Sequence, residues 1–363
     1  MFRAAIEKMT AYTPGEQPRA GERLIKLNTN ENPYPPSPRV RRAVIRAAAD
    51  SLRLYPAPRA DAFVASASKL YGVPSEMILA GNGSDELLAM IFRAALGRGD
   101  TVAYPVPTYS LYDTLASIQE ARVLRFPVEK DFSIPLDKLA AAHAKLTIVC
   151  NPNSPSGILT PTPKLAKLAR ALRDRLLVID EAYVDFADDN AIGLLRSFSN
   201  LVILRTLSKS FSLAGMRLGL CFARPEIIAE LMKVKDSYNL SRVALVAGAE
   251  ALNDAAWMRR NVERVKKTRD ATVARLRKLG FEVPDSSANF VLARRAGHDC
   301  APMTRALRRR GILVRHFATP MLRDALRISI GTPTEMNALF KALTANLHLL
   351  RDNGAAVATR KRR

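Results

Sequence analysis

Four short apolar runs, Leu146-Thr-Ile-Val-Cys150, Leu176-Leu-Val-Ile-Asp180, Leu201-Val-Ile-Leu-Arg205 and Leu218-Gly-Leu-Cys-Phe222, narrow the folds open to this chain more than any other feature. They lack the polar/apolar alternation of a half-exposed strand, so each reads as a strand buried on both faces. Between them, segments such as residues 163–175 carry helical spacing with a proline near the start. That alternation predicts an α/β fold with a largely parallel sheet. From about residue 255 the pattern changes. An Arg/Lys-rich helical stretch, residues 257–279, is followed by Gly280, a natural helix stop. Beyond it Asn289-Phe-Val-Leu-Ala293, Ile312-Leu-Val-Arg315 and Leu326-Arg-Ile-Ser-Ile330 read as strands, with a final helix expected from Pro333 or Thr334. At 363 residues the chain exceeds the usual size of one compact domain. The reading is an N-terminal arm (1–30), a large domain (31–255), a smaller α+β domain (256–352) and a disordered basic tail (353–363).

Composition excludes several classes. Hydrophobic residues at 48% and charged residues at 25% suit a fully folded body, without the repeats of a solenoid. The first fifteen residues lack a signal-peptide pattern, and no run approaches the roughly 18 apolar residues of a membrane span, so a soluble, cytoplasmic protein is expected. Cys150, Cys221 and Cys300 are scattered without CxxC spacing, and His143, His298, His316 and His348 do not pair with them at zinc-ligand distances. Reduced thiols and no metal follow. The net charge of +22 could attract nucleic acid, anionic lipid or phosphorylated small molecules. No basic run is interleaved with aromatics as single-strand binders require, which favours a solvated basic surface over a nucleic-acid site.

Open α/β sheets bind ligands at the carboxyl ends of their strands, so the residues just after each apolar run matter most. They are Asn151-Pro-Asn-Ser-Pro-Ser-Gly157, then Asp180-Glu-Ala-Tyr183, then Thr206-Leu-Ser-Lys-Ser-Phe-Ser-Leu-Ala-Gly-Met-Arg217. A lysine at a strand-to-loop junction, flanked by hydroxyls and followed by an arginine, fits a Schiff-base lysine beside an anion site. Lysine can lose its charge when desolvated and then attack an aldehyde. Asp180 supplies the carboxylate that keeps a pyridine nitrogen protonated and its ring an electron sink, and Tyr183 could donate to the ring's phenolic oxygen. Alone, Asp180 is as readily a helix cap and Lys209 a solvated side chain. Together, with Arg217 downstream, they are a rare combination.

That combination resembles the fold-type-I aminotransferases, which depend on pyridoxal phosphate, over residues 27–331. Leu27-Asn-Thr-Asn-Glu-Asn-Pro33 and Thr206-Leu-Ser-Lys-Ser-Phe211 are similar to the histidinol-phosphate aminotransferase branch. The resemblance implies that Lys209 carries the cofactor and shuttles a proton, with Thr206, Ser208 and Arg217 on the cofactor phosphate. It assigns Gly83, Ser84 and Asp85 of Gly81-Asn-Gly-Ser-Asp-Glu86 to the same phosphate, at the start of a helix where free backbone amides favour an anion. Tyr109 matches the tyrosine near the cofactor ring, and Tyr55 one that reaches the neighbouring subunit's phosphate, which implies a homodimer. Asn30, Tyr34, Arg315 and Arg327 are the implied substrate residues. One departure stands out: where the family carries Asn immediately before Pro-Thr-Gly, this chain has Ser154, preceded by Asn153.

Ser66-Ala-Ser-Lys69 matches the Ser-x-x-Lys of serine acyl-enzymes, but it lies in a plain helical stretch with no Lys-Thr-Gly following. A DNA-binding regulator on this fold needs an extra domain for which some 30 residues leave no room. Aromatic amino-acid aminotransferases and threonine-phosphate decarboxylases share the core motifs and remain the alternatives.

Overall fold

The computed structural model describes residues 1–48 and 50–350, so the tail at 353–363 and its expected disorder lie outside the described residues. The strands, in chain order, are β1 (Ile25–Leu27), β2 (Ile78–Gly81), β3 (Thr101–Val106), β4 (Arg122–Pro127), β5 (Leu146–Cys150), β6 (Leu176–Asp180), β7 (Leu201–Thr206), β8 (Gly219–Phe222), β9 (Phe290–Arg294), β10 (Ile312–His316) and β11 (Ala325–Ser329). They form a seven-stranded sheet ordered β2-β8-β7-β6-β5-β3-β4 and a four-stranded sheet ordered β1-β10-β11-β9.

From β4 through β7 the large sheet is parallel, and β5, β7 and most of β6 are fully buried, as continuous apolar runs require. β8 departs from the parallel expectation. The loop between β7 and β8 contains only a 3-10 turn (Ala214–Met216) and no crossover helix, so the chain returns antiparallel to β7 and continues antiparallel to β2. Pro105 within β3 falls where pairing with β5 has already ended, so its missing amide proton costs no bond on that side.

Helix boundaries follow local chemistry. Pro163 sits in the first turn of Thr162–Ala171, and Pro333–Ala345 opens on a capping box between Thr332 and Glu335. The long basic helix runs Ala255–Lys278, and Gly280 beyond it has φ +82°. Ser66 lies in the helix Asp61–Tyr71 and spends its hydroxyl on the Ala62 carbonyl at 2.9 Å, an ordinary intrahelical bond. No helix among the described residues is long and apolar enough to cross a membrane.

The N-terminal segment is tied down. β1 pairs in parallel with β10, Ile25 opposite Ile312, and Arg308 bridges to Glu16 at 2.6 Å and Glu22 at 3.1 Å.

A close backbone approach lies under the helix Ser84–Ala95. Gly83 has φ +81°, and Gly219 of β8 packs so tightly beneath it that an added Cβ would lie 2.5 Å from the Gly83 carbonyl carbon. Gly219→Ala should therefore lower stability by about 1–3 kcal/mol through overpacking. Gly193→Ala, at a position where an added Cβ meets nothing within 4 Å, should be nearly neutral. Melting temperatures of the two variants check this, and equal values would show that the close approach yields without cost.

Candidate active site

The carboxyl ends of β6 and β7, the start of the helix Ser84–Ala95 and the facing residues of β10 and β11 enclose a cavity of about 800 Å³. Lys209, in the loop after β7, is half-buried against it, and its ammonium donates to the Thr29 carbonyl at 3.0 Å. Burial, and next the positive charge of Arg327, push this amine down from 10.5 to about 8. Asn32 holds the loop from behind, donating to the carbonyls of Lys209 and Ser210 at 3.1 Å each.

Asp180 ends β6. Burial raises its carboxyl to about 6, opposed by hydrogen bonds from the Tyr112 phenol (2.7 Å) and the Ala182 amide (3.2 Å). Burial also lifts the Tyr183 phenol to about 12. Its oxygen accepts from Asn30 Nδ2 at 3.1 Å, and its ring meets Phe290 edge-on. Asn30 adopts φ +58°, donates its amide to Ser329 and gives its carbonyl to Asn289. It therefore fixes Tyr183 instead of opening into the cavity as a free polar group.

One end of the cavity is a ready-made anion cradle. Thr206 donates to Ser208 Oγ at 3.0 Å, and Arg217 Nη1 donates to the same oxygen at 3.2 Å. Arg217 Nη2 pairs with Asp85 at 3.0 Å, whose other carboxylate oxygen accepts from Tyr109 at 3.0 Å. A side chain at Gly83 would strike Arg217, since an added Cβ there comes within 2.7 Å of Nη2. Glycine keeps the guanidinium beside the amides of Ser84 and its successors, where a helix N-terminus favours negative charge.

The other end is formed by Arg315 and Arg327, directly opposite one another on β10 and β11. Arg327 donates to Ser154 Oγ at 3.2 Å and the Asn28 carbonyl at 2.9 Å, while its buried Nε has no partner. Burial, and further the nearby charge of Arg315, push its guanidinium down from its ordinary value. Arg315 donates to the carbonyls of Pro14 (3.3 Å) and Thr13 (3.2 Å). Among the described residues neither arginine forms an ion pair, so two guanidinium groups share one wall without a carboxylate to balance them.

Lys209, Asp180, Tyr183, Ser84, Asp85, Tyr109, Ser154, Thr206, Ser208, Arg217, Asn30, Arg315 and Arg327 all line this cavity. Four residues singled out from sequence are not among its lining: Asn153, Tyr34, Tyr55 and Gly83, which packs against Arg217. Asn153 is buried in its own loop, accepting from Thr108 at 2.8 Å and donating to the Pro107 carbonyl at 3.1 Å. Ser154 is the residue of that pair that faces the cavity. Tyr34 is buried under the Arg264 guanidinium, 3.5 Å above its ring. Tyr55 is 77% exposed and stacks on Tyr238 at 4.5 Å.

Two partnerships escaped the sequence reading. Tyr112 follows Tyr109 by one helical turn, a spacing that places both rings together. Arg205, in the middle of the sheet, donates twice to Glu181 Oε2 at 3.0 and 2.8 Å, with the side chains 8% and 0% exposed. An arginine closing an otherwise apolar run was the available signal, because it must find an anion.

Residues 22–343 match the family model described as aminotransferase class I and II. Histidinol-phosphate aminotransferase 1 of Trichormus variabilis is 44% identical over 342 residues, which is 94% of this chain and 97% of that protein. Histidinol-phosphate aminotransferase of Citrifermentans bemidjiense is 46% identical over 342 residues, again 94% and 97%. The crystal structure of histidinol-phosphate aminotransferase from Sinorhizobium meliloti in complex with pyridoxal-5'-phosphate overlays with a TM-score of 0.88 at 26% identity, covering 96% of this chain and 98% of that one. The architecture is therefore fold type I, and the chain belongs to the class I and II aminotransferases.

Proposed function

We propose that this protein is a pyridoxal phosphate-dependent aminotransferase interconverting histidinol phosphate plus 2-oxoglutarate and imidazole acetol phosphate plus glutamate, in histidine biosynthesis. The observation that carries the substrate is the Arg315–Arg327 wall: two guanidinium groups without an acid, one with an orphaned buried Nε, call for an anionic ligand. Histidinol phosphate has no α-carboxylate, so its phosphate is the group that such a wall can grip, and the 2-oxoglutarate carboxylates suit the same donors. The similarity to two proteins named histidinol-phosphate aminotransferase over nearly their whole length supports the choice.

The residues present fit the cofactor. Ser84, Thr206, Ser208 and Arg217 would hold its phosphate, in the space that glycine at 83 leaves open. Asp180 would face the ring nitrogen, Tyr183 and Ser154 the phenolic oxygen, and Tyr109 the ring. Bound there, pyridoxal phosphate supplies the electron sink that lets a proton leave the substrate carbon bearing nitrogen. Lys209 is the base for that proton. Its lowered proton affinity leaves far more neutral amine near neutral pH than an ordinary lysine has, and its contact with the Thr29 carbonyl holds the amine at the cavity. The phenol of Tyr183 keeps its proton throughout the working range, as a donor must.

Tyr55, with Leu52, Leu54 and Tyr238, forms an exposed apolar patch suited to a second copy of the chain. The active unit we infer is a homodimer in which Tyr55 reaches the neighbouring site, acting in the cytoplasm without nucleic-acid or membrane partners.

Purified protein assayed with histidinol phosphate against phenylalanine, each with 2-oxoglutarate, should prefer the phosphate substrate. Lys209→Ala should fold and bind the cofactor, yet borohydride reduction should fix none to the chain, whereas reduced native protein should yield one modified peptide containing Lys209. In the native protein the rate of covalent attachment should rise with pH through about 8, because the neutral amine attacks. A rise centred near 10.5 would show an unperturbed lysine.

Replacing Arg327 by Leu should cut kcat/KM for histidinol phosphate at least tenfold, about 1.4 kcal/mol, with cofactor absorbance unchanged. If only activity toward phenylalanine fell, the substrate would move to the aromatic amino acids.

The dimer reading is checked by mixing two inactive variants, Lys209→Ala and Tyr55→Ala. Mixed dimers carry one intact site and should regain activity, and no recovery after confirmed subunit exchange would place Tyr55 outside the neighbouring site.

A further inference from the structure

Tyr112 lies on the buried face of the helix Leu111–Ile118 with Leu115 and Ala116. Its ring is fixed between Tyr109, edge-on at 5.7 Å, and Tyr104, tilted at 5.6 Å. Its phenol ends 2.7 Å from Asp180 Oδ2, with both residues buried. A buried tyrosine needs some acceptor, so the contact alone would describe core packing. The surroundings of Asp180 argue for more.

Asp180 carries a buried carboxylate in a setting that works against its charge. Asp85, from the helix Ser84–Ala95, and Glu181, next in the chain, both disfavour ionisation electrostatically. Arg205 is committed to Glu181, and Cys150, opposite Asp180 on β5, carries a thiol that burial holds protonated. Tyr183 also faces Asp180, with a phenol that stays neutral below about 12. Among the described residues, only the Tyr112 phenol and the Ala182 amide donate to the Asp180 carboxylate, and the phenol is the closer. The Tyr112 phenol is itself held far above its ordinary range by burial and by Asp180, so its proton stays in place while Asp180 titrates.

Resting on the proposed cofactor, we infer that Tyr112 is a positioning residue for Asp180: its phenol fixes the carboxylate's orientation and charge, and so acts on the cofactor's ring nitrogen without touching it. Without this donor a proton binds Asp180 more tightly, so the pH below which the carboxylate is neutral, and its hold on the ring nitrogen lost, moves upward.

Tyr112→Phe keeps the ring between its neighbours and removes the donor. Equilibrium binding of pyridoxal phosphate to the cofactor-free protein, followed by absorbance across the acid to neutral range, gives the readout. The variant should bind about tenfold more weakly at neutral pH, as loss of a hydrogen bond to a charged group predicts, and its acid midpoint should shift upward. Tyr104→Phe, whose phenol bonds Asp113 at 2.6 Å and not Asp180, should leave the midpoint in place. Asp180→Asn should abolish the acid midpoint, and adding Tyr112→Phe to it should change nothing further. A cofactor analogue with carbon for the ring nitrogen should bind native protein and Tyr112→Phe equally. In steady state kcat should fall with little change in KM. A folded Tyr112→Phe protein with native affinity and midpoint, or one that loses as much in the Asp180→Asn background, would reduce Tyr112 to core packing. Native protein that binds no pyridoxal phosphate would instead overturn the proposed function itself.

Discussion

The site depends on the parallel register of β5, β6 and β7. Cys150 pairs with Asp180, and Asp180 with Leu204, so three consecutive strands end along one edge, and their last residues, Cys150, Asp180 and Thr206, line the same cavity. Side chains alternate across a strand, and Asp180 and Glu181 consequently face opposite ways. One points to the cavity and the other into the sheet, where it meets Arg205. That buried pair clamps the end of β6 to β7 and reaches further: Arg205 lies 3.8 Å from Asp185, and Asp185 accepts from Ser210, the neighbour of Lys209. Breaking one partner of such a pair strands a charge inside the protein, which makes the clamp unforgiving even if its net contribution to stability is small. The carboxylate and the amine of the site are thus connected through the sheet as well as across the cavity.

The cavity itself holds charge in a form costly to the free chain. Asp180 binds its proton more tightly folded than unfolded, so between about 3.8 and 6 stability falls as pH rises, and above that range the ionised carboxylate is a standing cost. Lys209 behaves in the reverse sense. Its folded proton affinity is depressed, so stability rises with pH between about 8 and 10.5 as the unfolded chain holds the proton that the folded chain has lost. At neutral pH both groups carry the unfavourable charge at least in part, and Arg327 adds a third. A ligand that brings a cation to Asp180, removes the charge of Lys209 and supplies an anion to Arg327 relieves all three at once. Binding and folding stability are linked through these residues.

The strands of the large sheet that carry chemistry were legible because they are continuous apolar runs ending in polar residues. β5 and β6 begin and end where the runs do. β2, β3 and β4 were not marked: β2 has four residues, β3 contains a proline, and β4 is an edge strand with partly exposed residues throughout. β2 is buried throughout but short, the proline breaks the apolar run of β3, and β4 lacks the uninterrupted burial that made the longer runs visible. Lys209, Asp180 and Arg217 stood out by residue type at strand ends. Tyr112 did not, because its role depends on a bond to a residue 68 positions away that no local pattern encodes. Asn153 and Ser154 show the same limit from the other side, since adjacent polar residues in a loop point to different places only once the loop is folded.

The strip from Asn28 to Asn32 joins the two sheets, and this gives the N-terminal segment a place in the chemistry. Within five residues the Asn28 carbonyl receives Arg327, the Thr29 carbonyl receives Lys209, the Asn30 side chain holds Tyr183, and Asn32 supports the lysine loop. β1, just before the strip, is paired to β10 in the smaller sheet. The strip therefore links the smaller sheet to the Lys209 amine, the Tyr183 phenol and the Arg327 guanidinium together. Backbone carbonyls suit such a junction: they accept from cations without adding the full negative charge that would lock Lys209 or Arg327 into a permanent ion pair. A carboxylate in their place would hold the cations more firmly and would leave the arginine wall with less affinity for an anionic ligand.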